Sequence, residues 1–138
     1  WLSMAKQRPA AELCPCGSGK PYADCCQPLH SGQAVASTAE QLMRSRYAAF
    51  ARKQAPYLLR SWHRSTRPAE ISATELEGVK WVQLEVRAAS GGPDDTHGTV
   101  EFVARCKING KAEKLHECSR FVREDGHWFY VDGEMLSN

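Results

Sequence analysis

Four cysteines fall within thirteen residues, Cys14-Pro-Cys16-Gly-Ser-Gly-Lys-Pro-Tyr-Ala-Asp-Cys25-Cys26, in a chain of 138. Two thiols come from a Cys-x-Cys turn, and two adjacent ones follow after eight intervening residues. Thiolates are soft ligands, and four of them complete the tetrahedral shell that Zn2+ takes in structural sites. Bonds near 2.3 Å require sulfurs roughly 3.8 Å apart. Gly17 and Gly19 allow the backbone to reverse with positive φ and to aim N–H groups at the sulfurs. Cys25 and Cys26 would point apart on an extended chain, so a short helical turn is expected to carry them. A shell closed by four protein ligands has no open position for water or substrate. The chemistry predicted for this knuckle is structural.

His30, four residues after Cys26, is an alternative ligand, although the four-cysteine set is preferred. Tyr22 is expected to pack its ring inside the knuckle, and Lys20 to offset the shell's negative charge. A redox dithiol would call for Cys-x-x-Cys, which is absent. Structural zinc contributes about 10–16 kcal/mol to the folding of small peptides, more than so few polar residues gain by packing. Without metal the knuckle should be disordered while the rest of the chain stays folded. The Gly-Ser-Gly-Lys stretch at 17–20 lacks the spacing and the following helix of a phosphate loop.

The elements that must hold this loop follow it. Residues 1–13 form a polar lead-in, residues 14–32 the knuckle, and residues 33–138 an α+β unit. Ser37-Thr-Ala-Glu40 is a capping-box signature, and Ala39, Leu42, Met43, Arg46, Tyr47 and Phe50 recur at helical spacing. This predicts a helix from Thr38 to Lys53. Pro56 opens a second, shorter helix through Trp62. The period then changes to two. Val82, Leu84 and Val86 mark one face of a first strand, and Val100 to Ile108 and Leu115 to Val122 make two more. Turns near Asn109-Gly110 and at Asp125-Gly126 lead through an antiparallel meander into His127–Val131. Helices first and a meander second predict an α+β layer architecture.

Composition narrows the function classes. Eighteen basic residues against sixteen acidic give a net charge of +2, which offers little steering toward nucleic acid. Arg44, Arg46, Arg52 and Lys53 read as a solvated helix face. No apolar run approaches the roughly 20 residues of a membrane span. The opening Trp1-Leu-Ser-Met4 does not resemble a secretion signal. Clustered thiols without such a signal predict a cytoplasmic metal-binding protein.

The cysteine segment closely resembles the SEC-C motif, a zinc-binding tail of the preprotein translocase ATPase SecA that also occurs in many unrelated proteins. The resemblance implies Cys14, Cys16, Cys25 and Cys26 as the metal ligands. In the translocase the motif docks a chaperone, which implies a protein partner here, and Lys20, Tyr22 and Asp24 are the residues expected to contact it. A longer pattern resembles the YchJ-like family: Cys25-Cys26-Gln-Pro-Leu-His30-Ser-Gly, Met43-Arg-Ser-Arg-Tyr47, Leu115-His-Glu-Cys-Ser-Arg-Phe121 and Gly126-His-Trp-Phe-Tyr-Val-Asp-Gly133. That likeness implies a domain like nuclear transport factor 2 (NTF2-like), a cone of helices against a curved antiparallel sheet, behind the knuckle. It implies no particular reaction.

Such a cone can enclose a pocket, so small-molecule binding or an enzymatic activity there is the alternative function. His116, Glu117, Arg120, Asp132 and Glu134, with His63 and Trp81, are the polar and aromatic candidates. On a strand His116, Cys118, Arg120 and Val122 share one face, and Glu117, Ser119, Phe121 and Arg123 the other. The simpler expectation is a solvent face with cross-strand pairs from Glu101 to Arg120 or Arg123. Cys106 and Cys118 read as small buried apolar residues, with a redox or metal pair across adjacent strands as the rival. Trp62, Trp81, Trp128 and Phe129 read as core. His97 and His127 have no recognisable partner, and no catalytic motif is present.

Overall fold

Helices come first and strands second among residues 12–136, which the computed structural model describes apart from the side chains of Ala73 and Glu75. A 3-10 turn (Tyr22–Asp24) is followed by α1 (Gln27–Ser31), α2 (Ala39–Ala51), α3 (Ala55–Arg60) and α4 (Ala73–Glu77). Strands β1 (Val79–Ala89), β2 (His97–Ile108), β3 (Lys111–Glu124) and β4 (His127–Met135) then pair in sequence order as one antiparallel sheet. The polar lead-in lies almost wholly outside the described residues.

α2 is the hinge of the architecture. Thr38, not Ser37, is its N-cap: the Thr38 hydroxyl accepts from Gln41 N–H at 3.0 Å. Gln41 Oε1 reaches back to the Ser37 N–H at 2.7 Å, so the capping pair sits one residue later than the Ser37/Glu40 reading. Another early amide, Ala39 N–H, bonds the Gly91 carbonyl in the β1–β2 loop. Eight of the thirteen residues of α2 are buried, more than one apolar stripe needs. Leu42, Met43 and Tyr47 join the main core, whereas Ala48 is buried among the knuckle cysteines. A helix covered on two sides leaves little room for a solvated basic face. Arg46 is only 5% exposed, and of the basic group Arg52 and Lys53 are the exposed members.

α3 carries Pro56 in its first turn as expected and ends at Arg60. Trp62 leaves the helix and bridges β4 at Tyr130. α4 has no counterpart in the sequence reading, because five residues are too few for a 3.6-residue repeat to show.

The β2–β3 and β3–β4 hairpins turn through two residues of positive φ, Asn109-Gly110 and Asp125-Gly126, the geometry that suits the twist of paired strands. One face of the sheet presents Leu84, Val100, Ala104, Phe121 and Trp128 to the helices. In β1 the register shifts between Trp81 and Gln83. The extra residue is Val82, which is 58% exposed, while Trp81 packs on the core with Leu84. Strict alternation through Val82 therefore fails. No helix among the described residues is long and apolar enough to cross a membrane.

Candidate metal centre

The loop between Glu12 and Tyr22 closes as a small ribbon. Tyr22 N–H bonds Glu12 O at 2.8 Å and Cys14 N–H bonds Lys20 O at 2.9 Å. Between these rungs Gly17 and Gly19 both adopt φ +83°, which reverses the chain and brings Lys20 back beside Cys14. Gly17 N–H bonds the Cys14 carbonyl at 3.3 Å instead of a sulfur, so it serves the turn.

The second pair sits between two helical turns. Cys25 ends the 3-10 turn at φ −126°, ψ −93°, and Cys26 precedes α1 in helical conformation at φ −88°, ψ −20°. The break at Cys25 lets neighbouring side chains converge. Their sulfurs lie 3.9 Å apart, and Cys16 Sγ lies 3.5 Å from Cys25 Sγ. All four sulfurs fall within 4.8 Å of one another. These separations match the roughly 3.8 Å edge of a zinc–thiolate tetrahedron.

The charge balance makes the same point. A hydrogen bond from Cys26, reinforced by Ser18, brings Cys16 down to about 4 against its burial. Giving that bond pushes Cys26 upward, and burial pushes Cys14 up to about 11. Among these three thiols the protein groups favour ionisation of Cys16. A bound dication would favour the thiolate form of such donors. The four cysteines fit a metal ion, which they would hold with no protein position left open.

His30 has no nitrogen to spare for a metal. Nε2 lies 2.8 Å from the Ser45 carbonyl in α2 and must donate to it, so Nδ1 accepts from Tyr22 Oη at 2.6 Å. Burial holds the imidazole below its ordinary pKa. Tyr22 packs inward as expected, but it is only 8% exposed and so is not a surface contact. Lys20 and Asp24 are exposed. The guanidinium of Arg52 lies 3.9 Å from the Tyr22 ring centroid, and Arg44 Nη1 donates to Cys16 O at 2.8 Å. Arg44, Ser45, Ala48 and Arg52 thus seat the knuckle on one side of α2. Sequence periodicity missed this because all four also fit an ordinary helix.

The family model described as YchJ, middle NTF2-like domain, matches residues 38–133, and the SEC-C motif matches residues 11–28. The chain belongs to the YchJ-like family. A UPF0225 protein of Chromobacterium violaceum is 50% identical over 132 residues, covering 94% of this chain and 98% of that protein. One from Bordetella bronchiseptica is 48% identical over 134 residues, covering 96% and 99%. Among solved structures, a SEC-C motif containing protein from Rhodopseudomonas palustris superposes with a TM-score of 0.80 at 36% identity, covering 90% of this chain and 98% of that one. A second, from Psychrobacter arcticus, has a TM-score of 0.72 at 28% identity, covering 91% and 83%. The NTF2-like fold expected from the resemblance is the fold observed, with few helices against a four-stranded antiparallel sheet.

The polar candidates of this YchJ-like domain divide between the two sheet faces. Glu117 and Ser119 line the cavity between α2 and the sheet, while His116 and Arg120 face away. The cross-strand pairs are His116 with Glu101 at 2.8 Å and Arg120 with Asp132, rather than Glu101 with an arginine. His63 pairs with Glu124 at 3.0 Å, outside the cavity lining, and Glu134 is exposed on β4. Cys106 is buried opposite Glu113, and the half-buried Cys118 lies opposite Glu101, so these thiols are not cross-strand partners. Trp128 is core, but Trp62 and Trp81 line the cavity. The residue that sequence reasoning missed is Arg46. Its signal was an arginine at a core-facing position of the α2 repeat, i+3 from Met43.

Proposed function

We propose that the chain is a zinc-binding protein whose knuckle docks a protein partner, with the NTF2-like domain as its scaffold. The observation that supports this most is the seating of a closed four-sulfur shell on α2, with Cys14, Cys16 and Cys26 buried. Such a metal has no vacant protein position at which to do chemistry, so its effect is on shape. Zinc is the ion of choice, because tetrahedral thiolate shells suit it and it adds no redox reactivity. A reducing compartment such as the cytoplasm belongs to the proposal, since the thiols must stay reduced to bind.

The shape being held includes a groove of about 280 Å3 that Cys25, Cys26 and Leu29 floor and charged side chains rim. Ser18, Lys20 and Asp24 line it from the knuckle, and Glu40, Gln41 and Arg44 from the first turns of α2. Charges of both signs suit a polar segment of a partner protein carrying the complementary pattern. The test pairs metal analysis with affinity capture by the wild-type chain and by a Lys20→Glu/Asp24→Lys double variant. One zinc per chain is expected in both, with a partner retained only by the wild type. Equal capture by the charge-reversed chain would refute docking through this groove, and substoichiometric zinc would refute the metal assignment.

A further inference from the structure

The cavity under α2 has a volume of about 290 Å3, near the lower limit of small-molecule pockets, roughly 300–1,000 Å3. Its walls are largely aromatic, with Phe50, Trp62, Trp81, Phe102, Phe121 and Tyr130 among them. Two charged side chains also line it without meeting. Arg46 Nη1 donates to Leu58 O at 2.8 Å and to Ser61 Oγ at 2.7 Å. Its guanidinium lies 4.5 Å from the Tyr130 ring centroid and 5.1 Å from that of Trp62. No carboxylate among the described residues pairs with it. Burial lowers its pKa only to about 10, so it remains a cation at neutral pH. Nε–H and the Nη2 donors have no acceptor among the described residues, and together they form a two-pronged donor.

Glu117, on β3, supplies the opposite charge. Its Oε1 accepts from Ser119 Oγ at 2.8 Å, and Oε2 has no donor among the described residues. A buried guanidinium and a half-buried carboxylate facing one small cavity constrain what can enter. A simple anion would satisfy Arg46 but be repelled by Glu117, and a simple cation would meet the reverse. A zwitterion would satisfy both, but two full charges would have to be stripped of water against aromatic walls. A neutral molecule with acceptor and donor atoms on adjoining edges satisfies both at lower desolvation cost. A flat one also matches the walls, since aromatic side chains pack against the faces of heteroaromatic rings.

We propose that this cavity binds a small, flat, neutral heteroaromatic lactam of the 6-oxopurine type. The Arg46 fork donates to the ring carbonyl and the neighbouring ring nitrogen, as arginine does at the edge of guanine. The Glu117 carboxylate accepts from the lactam N–H. The site is independent of the knuckle's docking role, because no cysteine lines it.

The test titrates the full chain with hypoxanthine and, in parallel, with purine, benzoate and tryptophan. Affinity is read by calorimetry, and the site by the indole N–H resonances of Trp62 and Trp81. Hypoxanthine is expected to bind and to shift both resonances. Purine, which lacks the carbonyl and the lactam N–H, should bind at least about tenfold more weakly, the loss expected for a charge-assisted hydrogen bond. Glu117→Leu should weaken hypoxanthine by a similar factor, and Glu117→Gln, which keeps an acceptor oxygen, should recover part of it. No binding up to the solubility limit would overturn the proposal, as would equal affinity for purine or tighter binding of benzoate or tryptophan. The ligand comparison uses the unaltered chain, so it decides the matter even if a Glu117 variant folds poorly.

Discussion

The knuckle and the cone are held by opposite means, and α2 belongs to both. Around the cysteines, the backbone is turn and short helix, and the buried set is Cys14, Cys16, Cys26, Tyr22 and Ala48, with the half-buried Cys25 packed against it. Across α2 the buried set is aliphatic and aromatic, from Leu42 and Leu58 to Phe121 and Trp128. One region is centred on four sulfurs placed to hold a metal ion, and the other on apolar area removed from water. The contrast teaches that the α2 surface must suit two different neighbours. Met43, Arg46, Tyr47 and Phe50 line the cavity, while Arg44, Ser45, Ala48 and Arg52 hold the knuckle.

Loss of a bound metal should separate the two regions most strongly. Cys16→Ser, or chelation, should abolish stoichiometric zinc and withdraw the about 10–16 kcal/mol that such shells contribute locally. Amide hydrogen exchange is then expected to rise through residues 12–31 while the β2–β3 core stays protected. The covering of α2 would be lost with it, so the thermal midpoint of the cone should fall without the sheet melting. Coincident loss of protection in knuckle and sheet would show that the two regions form a single cooperative unit.

The converse experiment acts on the cone alone. Phe121 is 2% exposed and packs edge-on against Tyr130. Phe121→Ala should cost about 3–5 kcal/mol by lost burial and cavity formation. Denaturant titration measures that loss, and metal content at low denaturant should remain unchanged. A variant that sheds its zinc under those conditions would contradict the separation.

Tyr22→Phe probes the seam between the two regions. The phenol donates to His30 Nδ1 and accepts from Gln54 Nε2 at 3.1 Å, while His30 Nε2 holds the Ser45 carbonyl. Removing the hydroxyl leaves His30 Nδ1 buried without a donor, at a cost of about 1–3 kcal/mol. Retained zinc with lowered stability is the expected result. Unchanged stability would mean that the relay contributes nothing to seating the knuckle.

What could be read from the sequence follows from how local each cause is. The clustering of Cys14, Cys16, Cys25 and Cys26 depends on spacing within one loop, so it was legible, as were the two hairpin turns. Tyr22 was legible as a ring inside the knuckle but not as part of a relay, since its partners His30, Arg52 and Gln54 lie on α1 and in the α2–α3 connection. Arg46 was misread because an arginine on a helix usually faces water, and only packing on both sides of α2 buries it. Val82 was misread because a bulge interrupts the alternation that placed it on one face with Leu84 and Val86. Glu117 and His116 are equivalent candidates until the register of β3 assigns the faces. Each miss depends on contacts between distant parts of the chain.

The smallest effect tests whether the outer face of the sheet contributes to either region. Arg120 donates to Asp132 across β3 and β4, from Nε at 2.6 Å, and both side chains are exposed. The guanidinium holds the Asp132 carboxyl below its ordinary value of 3.8. The folded state therefore binds that proton less readily than the unfolded one. The stabilisation is complete above the unfolded-state value and is lost as pH falls through the lower folded-state value. Asp132→Asn should be slightly less stable than wild type at pH 6, by less than Tyr22→Phe, because solvent screens an exposed pair. The difference should shrink toward zero as the pH is lowered through the carboxylate range, and added salt should reduce it at pH 6. A difference that persists in acid would point to packing of the Asp132 side chain, not to its charge, and would make this outer face part of what holds the cone.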